Sequence, residues 1–352
     1  MDYGGKHIHK LRSGTVTLSQ SNFIRATSVT PVPKWRTLTP NAELMPKERT
    51  ELKSAGGCLH WLVAQSRPDL AAGTSLNMSG EQTISKLVEI NKLLKEAIST
   101  QDWTVKFVYV DLQRACIPEL SDSSWANADQ LKSQSGYLVF LADKACFEPQ
   151  GGAASLLEWR SHRIKRTCRS TLAAETMGMD AGMDAGMFAR ELIAEIIIKS
   201  YVPTQSGKLP EDFIPVHAIT DCRSLYDILT KDGQPGTATE KRLIIDIQAI
   251  KENAEEFDAE MEKLKDIFRW IPTTKQLGDH LTKAKPPWML RAELDRNWLN
   301  LVATPEEEAA EITKEAQKLD KEYYSNVKTA TRNKIKNDCK RAIKIKNTKN
   351  RW

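Results

Sequence analysis

The sequence predicts an α/β protein in which a mixed central sheet is flanked by helices. From Trp103 onward, strand-like runs come first, at 105–110, 136–142 and 153–159. Helical and strand-like patterns then alternate as far as about residue 299. Strands followed by an alternation of helices and strands are typical of a mixed sheet with helices on its faces.

The later elements of this region can be read one by one. A long helix is expected from about Ser170 to Lys199, with Ser170 or Thr171 as its N-cap. A short apolar strand is expected at Val216–Thr220 and a last strand at Asp266–Pro272. The remaining helices are expected at about 222–231, 239–264, 275–284 and 288–299.

The sequence before this region has a different character. Residues 1–50 are rich in Ser, Thr, Pro and Gly, so we expect them to be extended or disordered. Residues 51–100 carry apolar residues at helical spacing, with a break at Arg67-Pro68-Asp69. The predicted organisation is therefore an N-terminal segment (1–50), a helical segment (51–100), an α/β domain (104–300) and a charged tail (301–352).

The net charge of +5 lies entirely in the tail. Residues 301–352 contain 13 Lys and Arg against 8 Asp and Glu, so the rest of the chain is neutral. This excludes a uniformly basic, histone-like body. The tail itself is an acidic block (306–322) followed by a basic block (328–351), which predicts a charged helical or disordered arm. The basic block is compatible with nucleic-acid binding, with a nuclear import signal, or with an extension that has no native role.

Several classes of protein are excluded by what the sequence lacks. No run of about 18 apolar residues is present, so we expect no membrane helix, and Met1–Arg12 has no apolar core of the kind a secretory signal needs. The six cysteines include no CxxC pair, which disfavours both a disulfide scaffold and a zinc site. We therefore expect an intracellular protein with reduced thiols.

The predicted long helix contains the local repeat MDAGMDAG. Gly178, Gly182 and Gly186 fall on one helix face, although an interior glycine costs about 1 kcal/mol relative to alanine. One interpretation is a bare stripe that packs closely against a strand or helix. The alternative is a small tandem duplication that the helix tolerates.

Four acidic residues stand out by their positions. Asp122 follows a possible strand in LSDSSWAN, and Asp221 ends the short strand in AITDCRS. Glu175 lies early in the long helix in RSTLAAET, and Asp279 lies after the last strand in WIPTTKQLGDHLTK. Carboxylates that converge repel one another unless a cation neutralises them, and oxygen ligands select Mg²⁺ or Mn²⁺. Composition alone does not distinguish these four residues from the other acids.

The same segments resemble the ribonuclease H region of Ty1/copia-type retrotransposon Pol polyproteins. SDSSWAN followed by SGYLVFLAD resembles the opening strand and hairpin of that region, and LLEWRSHRIKRTCRSTLAAET resembles its basic turn and acid-bearing helix. AITDCRSLYDIL and RWIPTTKQLGDHLTKAKP resemble the two later acidic motifs. Upstream, GGCLHWLVAQSRPDLA resembles the segment that joins the reverse transcriptase to ribonuclease H in these elements. The resemblance covers residues 50–300, with the motifs in order and at compatible spacing.

The resemblance implies a ribonuclease H-like fold and a metal-dependent endoribonuclease. Such an enzyme hydrolyses the RNA strand of an RNA–DNA hybrid with two Mg²⁺ or Mn²⁺ ions about 3.5–4 Å apart. Asp122 and Asp221 would touch both ions, while Glu175 and Asp279 would each hold one. The implied location is a nuclear or cytoplasmic retroelement particle, with a polymerase-bearing portion of the same element as a further partner.

The sequence departs from the family in three respects, one of which is Ser124, where relatives often have another Asp. The paired aspartates of the polymerase are absent, so we expect a portion of such an element without polymerase activity. The loop Pro272–Lys275 lacks the histidine that many cellular ribonucleases H carry there, and His280 comes after Asp279 instead. The alternative reading is a catalytically inactive remnant that binds nucleic acid, and a third is an unstable relic.

A basic segment at 160–169 lies just before the helix that carries Glu175, where it could reach phosphate groups near the acids. A solvated turn is the competing interpretation. Trp125 and Trp159 are either base-stacking or core residues, and we expect Arg67 to pair with Asp69 or a helix end. The candidate nucleic-acid contacts are Arg160, Arg163, Lys165, Arg166, Arg169, Lys241 and Arg242.

Overall fold

The computed structural model describes residues 1–199, 201–202, 209–210, 213–230, 241–257 and 267–310, together with residues 313 and 317. The chain divides into two compact units, Met1–Val302 and Ala303–Trp352. Within the described ranges, no helix has both the length and the apolar character needed to cross a membrane.

The regular elements of the first unit number from its N-terminus. The strands are β1 Asp2–Tyr3, β2 Lys6–Lys10, β3 Val16–Ser19, β4 Val105–Phe107, β5 Ala115–Ala128, β6 Lys132–Asp143, β7 Gly152–Arg163, β8 Val216–Thr220, β9 Phe268–Trp270 and β10 Trp298–Leu299. The helices are α1 Ser21–Arg25, α2 Lys34–Thr37, α3 Pro46–Gln65, α4 Ala71–Met78, α5 Ile84–Ser99, α6 Thr171–Ile197, α7 Arg223–Thr230, α8 Lys241–Phe257, α9 Asp279–Thr282 and α10 Pro287–Asp295.

The larger sheet has six strands in the order β10-β7-β6-β5-β8-β9. Strands β10, β7, β6 and β5 pair antiparallel with their neighbours, whereas β5, β8 and β9 pair in parallel. Helices cover both faces of this sheet. The α/β class predicted from the sequence, a mixed central sheet flanked by helices, is therefore confirmed.

Strand β6 shows why the sheet is covered on both faces. Tyr137 and Val139 belong to the core that includes residues of α6, α7 and α8, while Leu138 and Phe140 belong to the core on the opposite face. Successive side chains of a strand point to opposite faces, so a continuous apolar run requires two cores. The run GYLVFLA at 136–142, which the sequence predicts to be a strand, has this arrangement.

The prediction for residues 1–50 is wrong in the structure. Strands β1, β2 and β3 pair in order and are joined by β4 in a four-stranded antiparallel sheet. Helices α1 and α2 follow, and Ile24 and Leu44 are buried in the core of the N-terminal helices. The sheet is completed by the pairing of β3 with β4, which lies far away in the sequence.

The helical segment packs on the α/β region within the same compact unit. Helix α3 ends at Gln65, a short 3-10 turn spans Pro68–Leu70, and α4 follows, so the predicted break at this place is confirmed. Ala71 of α4 belongs to a core of the larger sheet. The Trp159 indole nitrogen donates to the Val63 carbonyl oxygen at 2.7 Å, which ties β7 to α3.

In the second unit, residues 305–310 are helical. The Thr304 hydroxyl oxygen accepts from the Glu307 backbone N–H at 3.3 Å, and the Glu307 carboxylate accepts from the Thr304 backbone N–H at 3.0 Å. This reciprocal pair is a capping box, which satisfies N–H groups at the start of a helix. Most of the predicted charged tail, including the basic block 328–351, lies outside the described residues.

Candidate active site

Asp122 lies in the middle of the sheet, on β5 between β6 and β8. It pairs in register with Gly136 of β6, and a Cβ atom on Gly136 would come within 2.4 Å of the Leu281 Cβ. The glycine thus allows α9 to approach the strand. The Thr282 hydroxyl of α9 donates a hydrogen bond to the Asp122 carboxylate.

Glu175 enters the site from α6. Ser170 caps this helix by accepting from the Ala173 backbone N–H at 3.1 Å, as predicted, and Glu175 follows in the second turn. Close packing holds the helix on β5, because a Cβ on Gly178 would lie 2.4 Å from the Ser123 hydroxyl oxygen and one on Gly182 would lie 2.0 Å from a Glu119 carboxylate oxygen. The interpretation of the glycines as a close-packing stripe is confirmed, and it brings Glu175 to the strand that bears Asp122.

Asp221 and Asp279 complete the group of acids. Asp221 directly follows β8, the parallel neighbour of β5, and its backbone carbonyl accepts from the Trp270 indole at 3.1 Å. Asp279 begins α9, which is anchored to β5 through Gln276. The Gln276 side chain donates to the Ser121 carbonyl at 2.9 Å and accepts from the Gly278 N–H at 2.9 Å.

The pKa values indicate that these acids interact. Burial, reinforced by the charges of Asp279 and Asp221, raises the pKa of Asp122 to about 7. Burial, with the charges of Asp122 and Asp221, raises the pKa of Glu175 well above its ordinary value. Burial also raises the pKa of Asp221, with a further contribution from Asp279. Mutual repulsion of this kind requires that the fold bring the carboxyl groups near one another.

Two lysines introduce positive charge at the same place. Burial by itself raises the pKa of Asp279, but hydrogen bonds from Lys283 and Lys285 outweigh it and lower the pKa. The Lys285 ammonium lies 3.0 Å from one Asp279 oxygen, and the Lys283 ammonium pairs with the other. Lys283 is not among the site residues predicted from the sequence. Its position four residues after Asp279, a spacing at which helical side chains meet, was the available signal.

The donor set suits a hard divalent cation, because four carboxylates offer only oxygen ligands and carry excess negative charge. Among the residues that the structure describes, no group of three or more His, Cys, Asp or Glu side chains is arranged to hold a metal ion. The acids fit such an ion in the chemistry of their donor atoms, while the cations placed against them in this structure are the Lys283 and Lys285 ammonium groups.

Part of the predicted basic surface forms a cavity beside α6. Its volume is about 230 Å³, and its lining includes Arg166, Arg169 and Arg242. Arg166 pairs with Asp246, which also lines the cavity. Segment 166–169 and helix α8 are far apart in sequence, so the cavity results from the fold.

The other predicted contacts lie outside this cavity lining. Arg160 is exposed on β7, close to Tyr137. Burial and the Glu158 charge raise the pKa of Tyr137, whereas the charge and hydrogen bond of Arg160 lower it. Arg163 ends β7 and is half-buried, while Lys165 is exposed. Lys241 is exposed at the first position of α8, immediately before Arg242.

The two tryptophans have different environments. Trp159 packs against a core of the larger sheet. Trp125 is 48% exposed, and its indole nitrogen donates to the Cys168 carbonyl at 3.0 Å, next to the basic cavity. Only Trp125 of the pair therefore presents a large aromatic surface to solvent near the candidate site.

No family model matches the sequence, and no curated protein matches it. A solved structure of LC11-RNase H1, isolated from compost by a metagenomic approach, is 16% identical over 50% of this chain and 98% of its own, with a TM-score of 0.30. A likeness this distant does not assign an activity to the chain.

Proposed function

We propose that this chain is the ribonuclease H portion of a Ty1/copia-type retrotransposon Pol polyprotein and hydrolyses the RNA strand of RNA–DNA hybrids. The observation that supports this most is the electrostatic interaction among four acids, Asp122, Glu175, Asp221 and Asp279, which lie far apart in the sequence. They are the same four acids that the motifs selected. Surface carboxylates chosen at random from the chain would not interact in this way.

In this proposal Asp122, Glu175, Asp221 and Asp279 hold two Mg²⁺ or Mn²⁺ ions. When bound, the ions supply charge stabilisation for the phosphodiester that is being hydrolysed. The acids sit on a sheet strand, a strand end and two helices, so the backbone fixes their spacing. Their burial keeps the surrounding dielectric low, which strengthens each electrostatic interaction.

The basic cavity has the character of a phosphate contact. Arg169 and Arg242 are exposed beside the start of α6, and arginine presents a planar set of donors that matches phosphate. Such contacts position a duplex without reading its sequence. Recognition of the 2′-hydroxyl groups would then distinguish the RNA strand from DNA.

A catalytically inactive nucleic-acid-binding remnant is the second candidate. It is favoured by the Lys283 ion pair at Asp279 and by the lack of a ready metal arrangement among the described acids. In either case we infer that the chain acts inside the cell, in the nucleus or cytoplasm, beside a polymerase-bearing portion of the same element.

A cleavage assay tests the proposal. The purified full chain is incubated with a hybrid labelled on its RNA strand, with Mg²⁺ or Mn²⁺ and with EDTA. We expect metal-dependent cleavage that leaves a 3′-hydroxyl and a 5′-phosphate. Asp221→Asn should lower the rate by at least about 100-fold, because it removes a proposed ligand of both ions.

Two controls make the assay decisive. Asp295→Asn changes a half-exposed surface carboxylate that pairs with Lys106, so it should leave cleavage unchanged. If the wild-type chain and Asp221→Asn cleave equally little while both retain hybrid binding, the enzyme proposal is wrong and the binding remnant remains.

A further inference from the structure

Lys283 lies against the candidate site because of its place after α9. Its ammonium group pairs with Asp279, and the preceding residue, Thr282, donates its hydroxyl to Asp122. Two consecutive residues thus contact two of the proposed ligands. The Lys283 side chain remains 43% exposed, so it also has a route to solvent.

The charge of Lys283 reaches the whole group of acids. Its ammonium lowers the pKa of each of the four proposed ligands. Among these ligands, Lys285 is a main contributor to the pKa of Asp279 alone. The two lysines therefore differ in position relative to the acids, although both bond to the same carboxylate.

Buried carboxylates that lie close together repel one another, and without a bound metal the repulsion is relieved by a proton or by a positive side chain. A lysine ammonium is a compact charge on a flexible stem, so it can enter and leave such a place without movement of the backbone. The Asp279 oxygens that Lys283 and Lys285 contact are also oxygens that a divalent ion would use. The lysine ammonium groups and a divalent ion therefore compete for the Asp279 oxygens.

We propose that Lys283 is the built-in counter-ion of the metal-free site, and that its ammonium must leave the acids when divalent cations bind. This inference rests on the proposed function, because it takes the four acids as metal ligands. It goes beyond that function by making the chain's own lysine a competitor that sets the apparent metal affinity. The apparent affinity for the metal is the intrinsic affinity multiplied by the fraction of molecules in which Lys283 has left the acids.

The first test measures the lysine in the wild-type full chain. A limiting amount of an acylating reagent is added in EDTA or in excess Mg²⁺, and the modification rate of each lysine is read by mass spectrometry. Lys283 should react at least about threefold faster with Mg²⁺, because its ion pair is released. Lys92, which pairs with Glu89 on the surface of α5, should not change. An unchanged Lys283 rate in protein that binds Mg²⁺ would overturn the inference.

The second test measures metal affinity by titration calorimetry with Mg²⁺ and Mn²⁺. Lys283→Met keeps an unbranched apolar stem and removes the charge, so the affinity should rise by about tenfold. Lys285→Met is the matched control and should change the affinity less. Equal affinities in the two variants would overturn the inference. The acylation rate in the wild type still decides the question if Lys283→Met does not fold.

The outcomes separate this inference from the proposed function. Tighter binding by Lys283→Met, including binding that the wild type lacks, supports the inference. If the wild type binds metal and Lys283→Met binds no tighter, the inference alone is wrong. If neither protein binds Mg²⁺ or Mn²⁺, the metal site of the proposed function is wrong and the inference is overturned with it.

Discussion

Glu119 is a carboxyl group buried in the interior of the molecule. It is 0% exposed on β5, between the sheet and the glycine stripe of α6, and one of its oxygens has no hydrogen-bond partner. Burial raises the pKa of Glu119 well above its ordinary value and outweighs the hydrogen bond from Ser121, which lowers it. The group is therefore neutral in the folded protein over a range of pH in which the unfolded chain ionises it.

The raised pKa of Glu119 makes the folded protein less stable as the pH rises. Because the folded pKa is raised, the contribution of Glu119 to stability is complete below about pH 4.5 and is lost as the pH rises toward the folded pKa. Glu119→Gln removes the ionisation, so the free energy of unfolding of the variant, relative to wild type, should be higher at pH 8 than at pH 4. Urea unfolding at both values measures the difference. Glu252→Gln on the exposed face of α8 serves as the control, and an equal difference at both pH values would contradict the prediction.

Arg242 and Lys241 offer a second comparison at the scale of one residue. Both are exposed and adjacent at the start of α8, but only Arg242 lines the basic cavity. Arg242→Ala should weaken hybrid binding by about tenfold and reduce the salt slope by about 1, because it removes one phosphate contact. Lys241→Ala should have a smaller effect. Fluorescence anisotropy with a labelled hybrid at several salt concentrations measures both, and equal losses would place the contact elsewhere.

Helix α6 couples the fold to the site at the scale of an element. Its glycines let the backbone lie against Ser123, Glu119 and Val216, and this packing carries Glu175 to Asp122. The helix is therefore held by tertiary contacts rather than by intrinsic propensity, which the glycines lower.

The cost of an added methyl group tests this packing. Gly182→Ala would place Cβ 2.0 Å from a Glu119 oxygen, and the variant should lose about 1–3 kcal/mol of unfolding free energy. Gly57→Ala in α3 meets nothing within 4 Å, and it should gain up to about 1 kcal/mol from the higher helix propensity. Urea unfolding of both variants makes the comparison. Equal stability of the two would show that α6 is not closely packed.

The helices and strands that could be predicted from the sequence are those marked by a pattern within a few neighbouring residues. Strand β8 occupies the predicted positions, and α6 begins at the predicted cap, because apolar runs and capping residues act over a few positions. The N-terminal sheet was missed because β3 pairs with β4, and Val16 lies opposite Phe107. Pairing over such a distance leaves no periodic trace in the polar sequence around β1 and β2.

The candidate site divides in the same way. The four acids could be selected because each lies in a motif that resembles a known family, although Asp122 lies inside β5 rather than after a strand. Lys283 had only the local signal of its spacing from Asp279, and the pairing of Arg166 with Asp246 had none, because it depends on where the fold places α8.

A buried ion network joins distant parts of the first unit. Arg67 donates to Asp69 through two nitrogens at 2.9 and 2.8 Å, so the predicted pairing is confirmed. Arg291 of α10 reaches the same Asp69 at 2.6 Å and also bonds to Glu96 of α5 at 2.5 Å. The turn after α3 and the helices α5 and α10 thus share one carboxylate-centred network.

Removal of the central charge tests how much the molecule depends on this junction. Asp69→Ala removes the anion that Arg67 and Arg291 share. Arg67 is 1% exposed and loses its carboxylate partner, while Arg291 keeps only its pair with Glu96. An uncompensated buried charge costs about 3–5 kcal/mol, so the midpoint of urea unfolding should fall clearly. Asp102→Ala breaks an exposed pair with Arg25, where the loss should stay below about 1 kcal/mol. Because α3, α5 and α10 share the network, tryptophan fluorescence and far-ultraviolet circular dichroism should report the same shifted transition in Asp69→Ala. A shift no larger than that of Asp102→Ala, or two separate transitions in the wild type, would mean that the N-terminal helices and the sheet do not unfold as one body.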